Sequence, residues 1–292
     1  MATPSEKLAL SLEILHSLQK PNGAAAIRAR DLTRTHRERL LKNGFIQEVI
    51  KGWYIPSRPG EIGGESTGWY ASFWRFAAAY LETRFRKNWS LSPEQSLSLH
   101  AVNWTVPRQL SVRSQNATNT VTKLPHGTSL FELQAALPPA IDRTDKDGLR
   151  IYSLEAALIE AAPRYFVNYA TDARTALRMI RDASGLLARL LEGGHSTIAG
   201  RLAGALRNVG RAALADEINA TMSTAGYTVR ESDPFVEHPT IVLPPRETSP
   251  YANRIRILWQ KMRDPVIKSF PEALGLPRNP AAYLKRVEEA HG

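Results

Sequence analysis

The sequence contains no cysteine, which excludes disulfide bonds and metal sites built on thiolates. It also lacks any apolar run long enough to cross a bilayer, so no membrane-spanning segment is expected. The first residues, MATPSEKLAL, have neither the basic start nor the long apolar core of a signal peptide. These absences together predict a cytoplasmic protein.

Recognisable signatures of catalysis are missing as well. None of the seven histidines stands in a metal-ligand spacing such as H-E-x-x-H, and no phosphate-binding loop or dinucleotide fingerprint occurs. A G-x-S-x-G pattern is present as GESTG at 64–68, but the residues before it have linker composition. A nucleophile elbow follows a buried strand, so Ser66 or Thr67 is interpreted as a helix cap. We predict no enzymatic activity, metal or cofactor, and keep a hydrolase using Ser66 as the last alternative.

Positive charge is what the chain has in excess, and it is unevenly distributed. The 38 Lys and Arg residues against 28 acidic residues give a net charge of +10. Residues 1–60 hold ten of those basic residues and five of the acids, so about a fifth of the chain carries half of the surplus. A concentrated basic balance favours a polyanionic partner. The alternative is a basic surface that serves only solubility.

The first sixty residues combine helical and hairpin patterns. Apolar spacing and capping residues predict three helices over 5–18, 24–31 and about 33–43, the last ending at Gly44. Residues 45–55 alternate in polarity and turn at Lys51-Gly52, which predicts a hairpin. The order helix, helix, helix, hairpin is that of a winged helix-turn-helix domain.

In that arrangement the third helix enters the major groove of DNA, and arginine is suited to pair with guanine or phosphate. The candidate DNA-binding residues are Arg28, Arg30, Arg34, Thr35, His36, Arg37, Arg39 and, in the wing, Lys51. The alternative is a winged helix used for protein contacts, with its arginines forming a solvated face.

The rest of the chain predicts an α+β protein that is mostly helical. After a Gly-rich linker at 57–68, a helix over about 67–86 carries an aromatic stripe, and short β-branched strands follow between 108 and 153. Residues 171–225 have a helical pattern, in which the spacing of Gly200 and Gly204 permits close helix packing. We predict a winged-helix domain over 1–60, an α+β domain ending in a helical bundle over 67–235, and a Pro-rich connector with C-terminal helices over 236–292.

One segment, RDLTRTHRERLLKNGFIQEVIKGWYIPSRP at 30–59, resembles the N-terminal winged helix of AbiEi-type antitoxins. These are the antitoxin and regulator components of type IV toxin–antitoxin, or abortive-infection, systems. LSPEQSLSLH and GLRIYSLEAALIEA, further along, resemble later segments of the same family, and the resemblance covers about residues 1–235. It implies a DNA-binding antitoxin that represses its own operon and counters a toxin. The implied partners are double-stranded operator DNA and a cognate toxin, with homodimerisation as a further expectation.

A closer resemblance is to the region that precedes the catalytic domain in a group of bacterial Fic proteins. It is carried by GYTVRESDPF at 226–235 and SPYANRIRILWQKMRDPVIKSFP at 249–271. The Fic motif H-P-F-x-[DN]-G-N-G-R is absent from the sequence. The resemblance therefore implies, as the alternative function, a non-catalytic regulatory or protein-interaction region that restrains or places a Fic-type enzyme. For the antitoxin function, the aromatic helix and the helices that carry Arg201 to Arg211 are the candidate surfaces for toxin binding or self-association.

Overall fold

The structure, a computed structural model, describes residues 3–19, 26–60 and 66–236. The chain divides into two compact units, Met1–Glu237 and His238–Gly292, and all described residues belong to the first. They form an α+β fold with more helix than strand, which confirms the predicted class. The predicted connector and C-terminal helices over 236–292 lie, beyond Val236, outside the described residues.

Within Met1–Glu237, the described residues up to 60 form two helices and a three-stranded sheet, which we call the N-terminal unit. Its elements are helix α1 (Pro4–Gln19), strand β1 (Ile27–Arg28), a 3₁₀ turn (Ala29–Asp31), helix α2 (Arg34–Lys42), and strands β2 (Ile46–Ile50) and β3 (Trp53–Pro56). The sheet is antiparallel with order β1-β3-β2. The predicted helix over 24–31 is wrong where it is described, because residues 27–31 form strand β1 and the 3₁₀ turn.

Local signals set the remaining boundaries of this unit. The hydroxyl of Thr33 accepts a hydrogen bond from the backbone N–H of His36 and caps α2. Ile50 pairs with Trp53, so Lys51-Gly52 is the two-residue turn that the sequence predicted, with Gly52 at a φ of 81°. The strict alternation predicted for β2 is interrupted, because a bulge lies between Glu48 and Ile50.

The small sheet has apolar contacts on both faces. One face packs with the N-terminal helices around buried Leu15, Leu40 and Ile46. On the other, Ile55 is buried against helix α3 (Thr67–Phe85), and the Trp53 ring meets Phe76 and Tyr80 edge-on at 5.9 and 5.5 Å. Phe76 is fully buried, and full burial of such a side chain contributes about 1.5–3 kcal/mol to stability, while Trp53 and Tyr80 are half-buried. The N-terminal unit is therefore fixed to α3, and the boundary predicted at residue 60 stays a prediction.

The aromatic stripe predicted on α3 is confirmed as core. Trp69, Phe73 and Phe76 are buried, while Trp74 is half-buried and donates through Nε1 to the carbonyl of Trp104 at 2.8 Å. The stripe covers a four-stranded sheet of order β4-β5-β7-β6, in which β5 and β7 are parallel. The strands of this sheet are β4 (Ser90–Leu91), β5 (Gln109–Ser114), β6 (Thr120–Lys123) and β7 (Ser129–Gln134).

Helix α4 (Pro93–His100) crosses from the sheet to the helical part of the molecule. It begins as predicted, with Ser92 as cap and Pro93 in the first turn. A hairpin of β8 (Arg143–Lys146) and β9 (Leu149–Tyr152) then leads into α5, whose cap is Ser153. Six helices share one core: α5 (Leu154–Glu160), α6 (Pro163–Asn168), α7 (Ala170–Met179), α8 (Ser184–Gly193), α9 (Ser196–Asn208) and α10 (Ala212–Thr224).

An extended segment, residues 227–236, lies across α9, and we call it the strap. A Cβ built at Gly200 would lie 2.0 Å from the carbonyl oxygen of Arg230, and one at Gly204 would lie 2.2 Å from that of Ser232. The predicted packing of these glycines is thus corrected: the close neighbour is the strap and not another helix. Glu231 anchors the strap by accepting hydrogen bonds from Arg207 at 2.7 and 3.1 Å.

Candidate nucleic-acid interface

Two of the predicted DNA-binding residues fasten α2 to α1. His36 Nδ1 and Ser11 Oγ lie 2.9 Å apart, with Ser11 fully buried. Arg39 Nη1 donates to the carbonyl of Lys7 at 2.7 Å and to Ser11 Oγ at 2.8 Å. These bonds fix the orientation of α2, so His36 and Arg39 act first as structural residues.

Two further arginines tie the 3₁₀ turn to its neighbours. Arg37 Nη1 donates to the carbonyl of Ala29 at 3.1 Å, and the N–H of Ala29 donates to the carbonyl of Gly52 at 2.8 Å. Through Ala29, therefore, α2 is connected to the turn of the hairpin. Arg28 donates to both carboxylate oxygens of Asp31 at 3.0 and 3.1 Å.

The Arg28–Asp31 pair is an internal brace of the 3₁₀ turn. Burial by itself would raise the pKa of Asp31, but hydrogen bonds from the Arg28 side chain and backbone N–H outweigh that effect. The charge of Arg28 acts in the same direction, so the pKa of Asp31 lies below its ordinary value. Asp31 therefore stays ionised and holds the Arg28 guanidinium in place.

The outward face of α2 is the part left open to solvent. The exposed residues on this helix are Arg34, Thr35, Glu38, Leu41 and Lys42. Arg34 Nε donates to Glu38 Oε1 at 2.7 Å, with the side chains 83% and 59% exposed. Hydrogen bonding to Arg34 lowers the pKa of Glu38. Because a pair this exposed contributes little to stability, Arg34 is able to exchange Glu38 for another acceptor.

The hairpin turn and the 3₁₀ turn each carry an exposed cation. Lys51 is exposed at the tip, and the N–H of Gly52 donates to Glu48 Oε1 at 3.2 Å. Arg30 is likewise exposed, on the 3₁₀ turn whose Ala29 is bonded to Gly52. The backbone therefore brings Arg30 and Lys51 to neighbouring turns at one end of the small sheet.

The eight predicted residues thus fall into two groups. Four are exposed and four hold the N-terminal unit together: the exposed residues are Arg30, Arg34, Thr35 and Lys51, and the structural ones are Arg28, His36, Arg37 and Arg39. Sequence reasoning missed that Glu38 and Lys42 share the exposed face with Arg34. Their signal was the spacing itself, because residues 34, 38 and 42 follow one another at four-residue steps on one helical face.

The arginines of the other candidate surfaces make intramolecular contacts. Arg201 is half-buried over the Phe166 ring and donates to the carbonyl of Ala161 at 3.2 Å. Arg211 donates to the carbonyl of Ile180, and Arg207 holds the strap. On α3, Trp69, Phe73 and Phe76 of the stripe are buried, and Tyr70 is the exposed aromatic ring of this helix. The arginines and aromatic residues proposed for partner binding are therefore mostly committed to internal contacts.

The features of an enzyme site are not found around Ser66 in the part that the structure describes. Strand β3 ends at Pro56, and Ser66 occupies the cap position of α3 without a side-chain capping bond. Residues 3–19, 26–60 and 66–236 hold no group of three His, Asp or Glu residues placed to share a metal ion. In the same ranges no helix has both the length and the apolar character to cross a membrane.

No protein-family model matches the chain, and comparison with curated proteins gives no significant match. The resemblance to AbiEi-type antitoxins and to Fic-associated regions therefore stays a prediction from the residues that carry it.

Proposed function

We propose that the protein is a DNA-binding transcriptional regulator of the antitoxin type, with an N-terminal winged helix-turn-helix. The order helix, strand, short helical turn, helix, hairpin supports this interpretation, as does the antiparallel sheet order β1-β3-β2. In this assignment the 3₁₀ turn takes the place of the second helix and α2 is the recognition helix. The β2–β3 hairpin is the wing.

The observation that carries the proposal is the division of α2 into two faces. His36, Arg37 and Arg39 bind α2 to α1 and to the 3₁₀ turn. The opposite face presents Arg34 and Lys42, both exposed, to solvent. A recognition helix needs both a rigid mount and a free polar face, because base contacts require a fixed register.

The proposed mode of binding assigns different tasks to the exposed residues. Arg34 and Thr35 lie in the first turn of α2, the part of a recognition helix that meets base edges. Arg34 leaves Glu38 and pairs with guanine or with phosphate. Lys51 at the wing tip and Arg30 on the adjacent turn contact the sugar–phosphate backbone and add affinity without sequence information.

Fluorescence anisotropy with duplex DNA from upstream of the gene tests the proposal. We expect binding that weakens steeply with salt, because each neutralised phosphate releases counterions. Arg34→Ala and Lys51→Ala should each weaken binding about tenfold, and Lys51→Ala should reduce the salt slope by about one. Arg178→Ala, which removes an exposed arginine from α7, is the matched control and should change neither the affinity for DNA nor its salt slope.

Two outcomes would contradict the proposal of a DNA-binding regulator. One is no binding to any upstream fragment at low salt. The other is equal loss in all three variants, which would mean non-specific attraction to a basic protein. If binding to DNA fails and a protein partner co-purifies with both wild type and the two N-terminal variants, the alternative of a protein-interaction region is favoured.

A further inference from the structure

A cleft that the DNA-binding proposal does not use lies between the start of α4, the loop leading into β5, and α6. Its volume is about 530 Å³, within the roughly 300–1,000 Å³ of small-molecule sites. At its floor Ser98 Oγ and the hydroxyl of Tyr165 lie 3.0 Å apart, both residues being buried. Its lining is mainly polar, with hydroxyl and amide side chains beside two arginines and two tyrosines.

The loop that forms one wall is held in an unfavourable conformation. Val102, next to the cleft, has a φ of 61°, a value that β-branched residues rarely adopt. Its neighbours are fixed from two sides: Asn103 Nδ2 donates to Asp172 Oδ2 at 2.8 Å, and Trp74 Nε1 donates to the carbonyl of Trp104 at 2.8 Å. Strain that is maintained by surrounding contacts is concentrated at binding sites. The wall is therefore preorganised.

The charge of the lining favours an anion. Arg108 and Arg164 stand on different walls, and within the ranges that the structure describes neither side chain makes an ion pair or hydrogen bond. Glu94 is the acid among the lining residues, and its Oε1 already accepts the N–H of Ala162 at 3.2 Å. Two unneutralised guanidinium groups facing one cleft are suited to a phosphate, which takes bidentate hydrogen bonds.

An aromatic platform lies beside these arginines. The rings of Tyr165 and Tyr169 stack at 5.2 Å with planes 19° apart. Tyr165 is buried, whereas Tyr169 is 55% exposed. One face of the Tyr169 ring therefore rests on Tyr165 while the other is open to a planar ligand. A base stacks on such a face without needing a particular sequence.

We propose that this cleft binds a nucleoside phosphate. Arg108 and Arg164 hold the phosphate, and the base stacks on Tyr169. The amide side chains of Gln95 and Asn168, which also line the cleft, donate to polar edges of the ligand. The same chemistry is offered by a free mononucleotide and by the terminal nucleotide of a single strand, so both sources are compared in the test.

Isothermal titration calorimetry of the full chain with adenosine 5′-monophosphate, and separately with a 5′-phosphorylated six-nucleotide thymidine strand, tests the site. Tyr169→Ala should weaken binding about 5- to 100-fold and Tyr169→Phe should retain it. Arg108→Gln and Arg164→Gln should each weaken binding roughly tenfold or more. Arg178→Gln, an exposed arginine outside the cleft, is the control.

Tighter binding of the mononucleotide supports a free ligand, and tighter binding of the strand supports a strand end. The proposal is overturned if neither probe saturates at millimolar concentration, or if Arg178→Gln weakens binding as much as Arg164→Gln. Thermal melting by circular dichroism accompanies each variant. If Tyr169→Ala does not fold, the two arginine variants decide the outcome, since both side chains are exposed. Arg34→Ala and Lys51→Ala should leave binding of the mononucleotide unchanged, because both residues lie outside the cleft, so this arm of the test is independent of DNA recognition.

Discussion

The carbonyl oxygen of Arg230 lies where a side chain at Gly200 would have to be, 2.0 Å from the position of its Cβ. The contact is reinforced by a hydrogen bond from the N–H of Ser232 to the carbonyl of Gly200 at 3.1 Å. At the end of the same segment, Cζ of Arg174 lies over the Phe235 ring, 4.3 Å from its centroid. The strap thus packs against the helical core and joins α9 to α7.

Gly200→Ala is expected to destabilise the protein by about 2–3 kcal/mol, because the added methyl group must displace strap backbone. Chemical denaturation monitored by circular dichroism measures the change. The matched control is Gly185→Ala in α8, where the new Cβ meets side-chain atoms and no backbone, with Glu155 Cγ at 3.0 Å and Arg189 Nη1 at 3.7 Å. Alanine is the better helix former there, so that variant should be near neutral. Equal stability of both variants would contradict close docking of the strap.

Arg39→Ala should lower stability by about 1–2 kcal/mol, since it removes hydrogen bonds from a charged donor to Lys7 and to buried Ser11. Lys42→Ala, on the exposed face of the same helix, is the control and should be neutral within about 0.5 kcal/mol. Thermal melting distinguishes the two. A stable Arg39→Ala protein would mean that α2 does not depend on these bonds. If Arg39→Ala is destabilised as expected, loss of DNA binding in that variant is no evidence that Arg39 contacts DNA.

The strap should loosen in acid. Hydrogen bonds from Arg207 lower the pKa of Glu231, burial opposes the shift, and Asn219 adds a second lowering bond. A carboxyl group whose pKa is lower in the folded state stabilises above its unfolded value, near 4.5, and loses this contribution as pH falls through the folded value. Glu231→Gln should thus be less stable than wild type at pH 7, with the difference shrinking below about pH 4.

Denaturation of both proteins between pH 3 and pH 8 measures that difference. Glu217→Gln, which changes an exposed carboxylate of α10, controls for loss of a negative charge in general. A gap between wild type and Glu231→Gln that stays constant across the whole range would contradict the ionic role of Glu231. The effect is expected to be small because Arg207 and Glu231 are partly exposed.

The elements that the sequence predicted well are those with local signals. The cap at Ser92, the turn at Lys51-Gly52 and the aromatic stripe of α3 were all visible in short stretches, and all are confirmed. The helix predicted over 24–31 is wrong over residues 27–31, where the alanine content had suggested helix. Pairing of Ile27 with Tyr54, a partner distant in sequence, forms strand β1 instead.

Site residues were predicted less well, because residue type does not reveal which way a side chain turns. Arg34 and Arg39 are alike in sequence, yet one is exposed and the other bonds Lys7 on another helix. The same difficulty affected Gly200: its spacing from Gly204 indicated close packing, but nothing nearby in sequence indicated a strap some thirty residues later. Long-range partners decide both cases.

Glu38→Gln should strengthen DNA binding if α2 is the recognition helix. Glu38 holds Arg34 at 2.7 Å and places a negative charge on the face that would meet phosphates. Removing that charge both frees Arg34 and relieves repulsion, so we expect affinity to rise about three- to tenfold at low salt, and less at high salt.

In an Arg34→Ala background the gain from Glu38→Gln should be smaller, because only the repulsion remains to be relieved. Anisotropy titrations of the two single variants and the double variant measure this coupling. Unchanged or weaker binding by Glu38→Gln would contradict the assigned face of α2, or identify Glu38 as an acceptor for a cytosine amino group, which replacement of that base would then reveal.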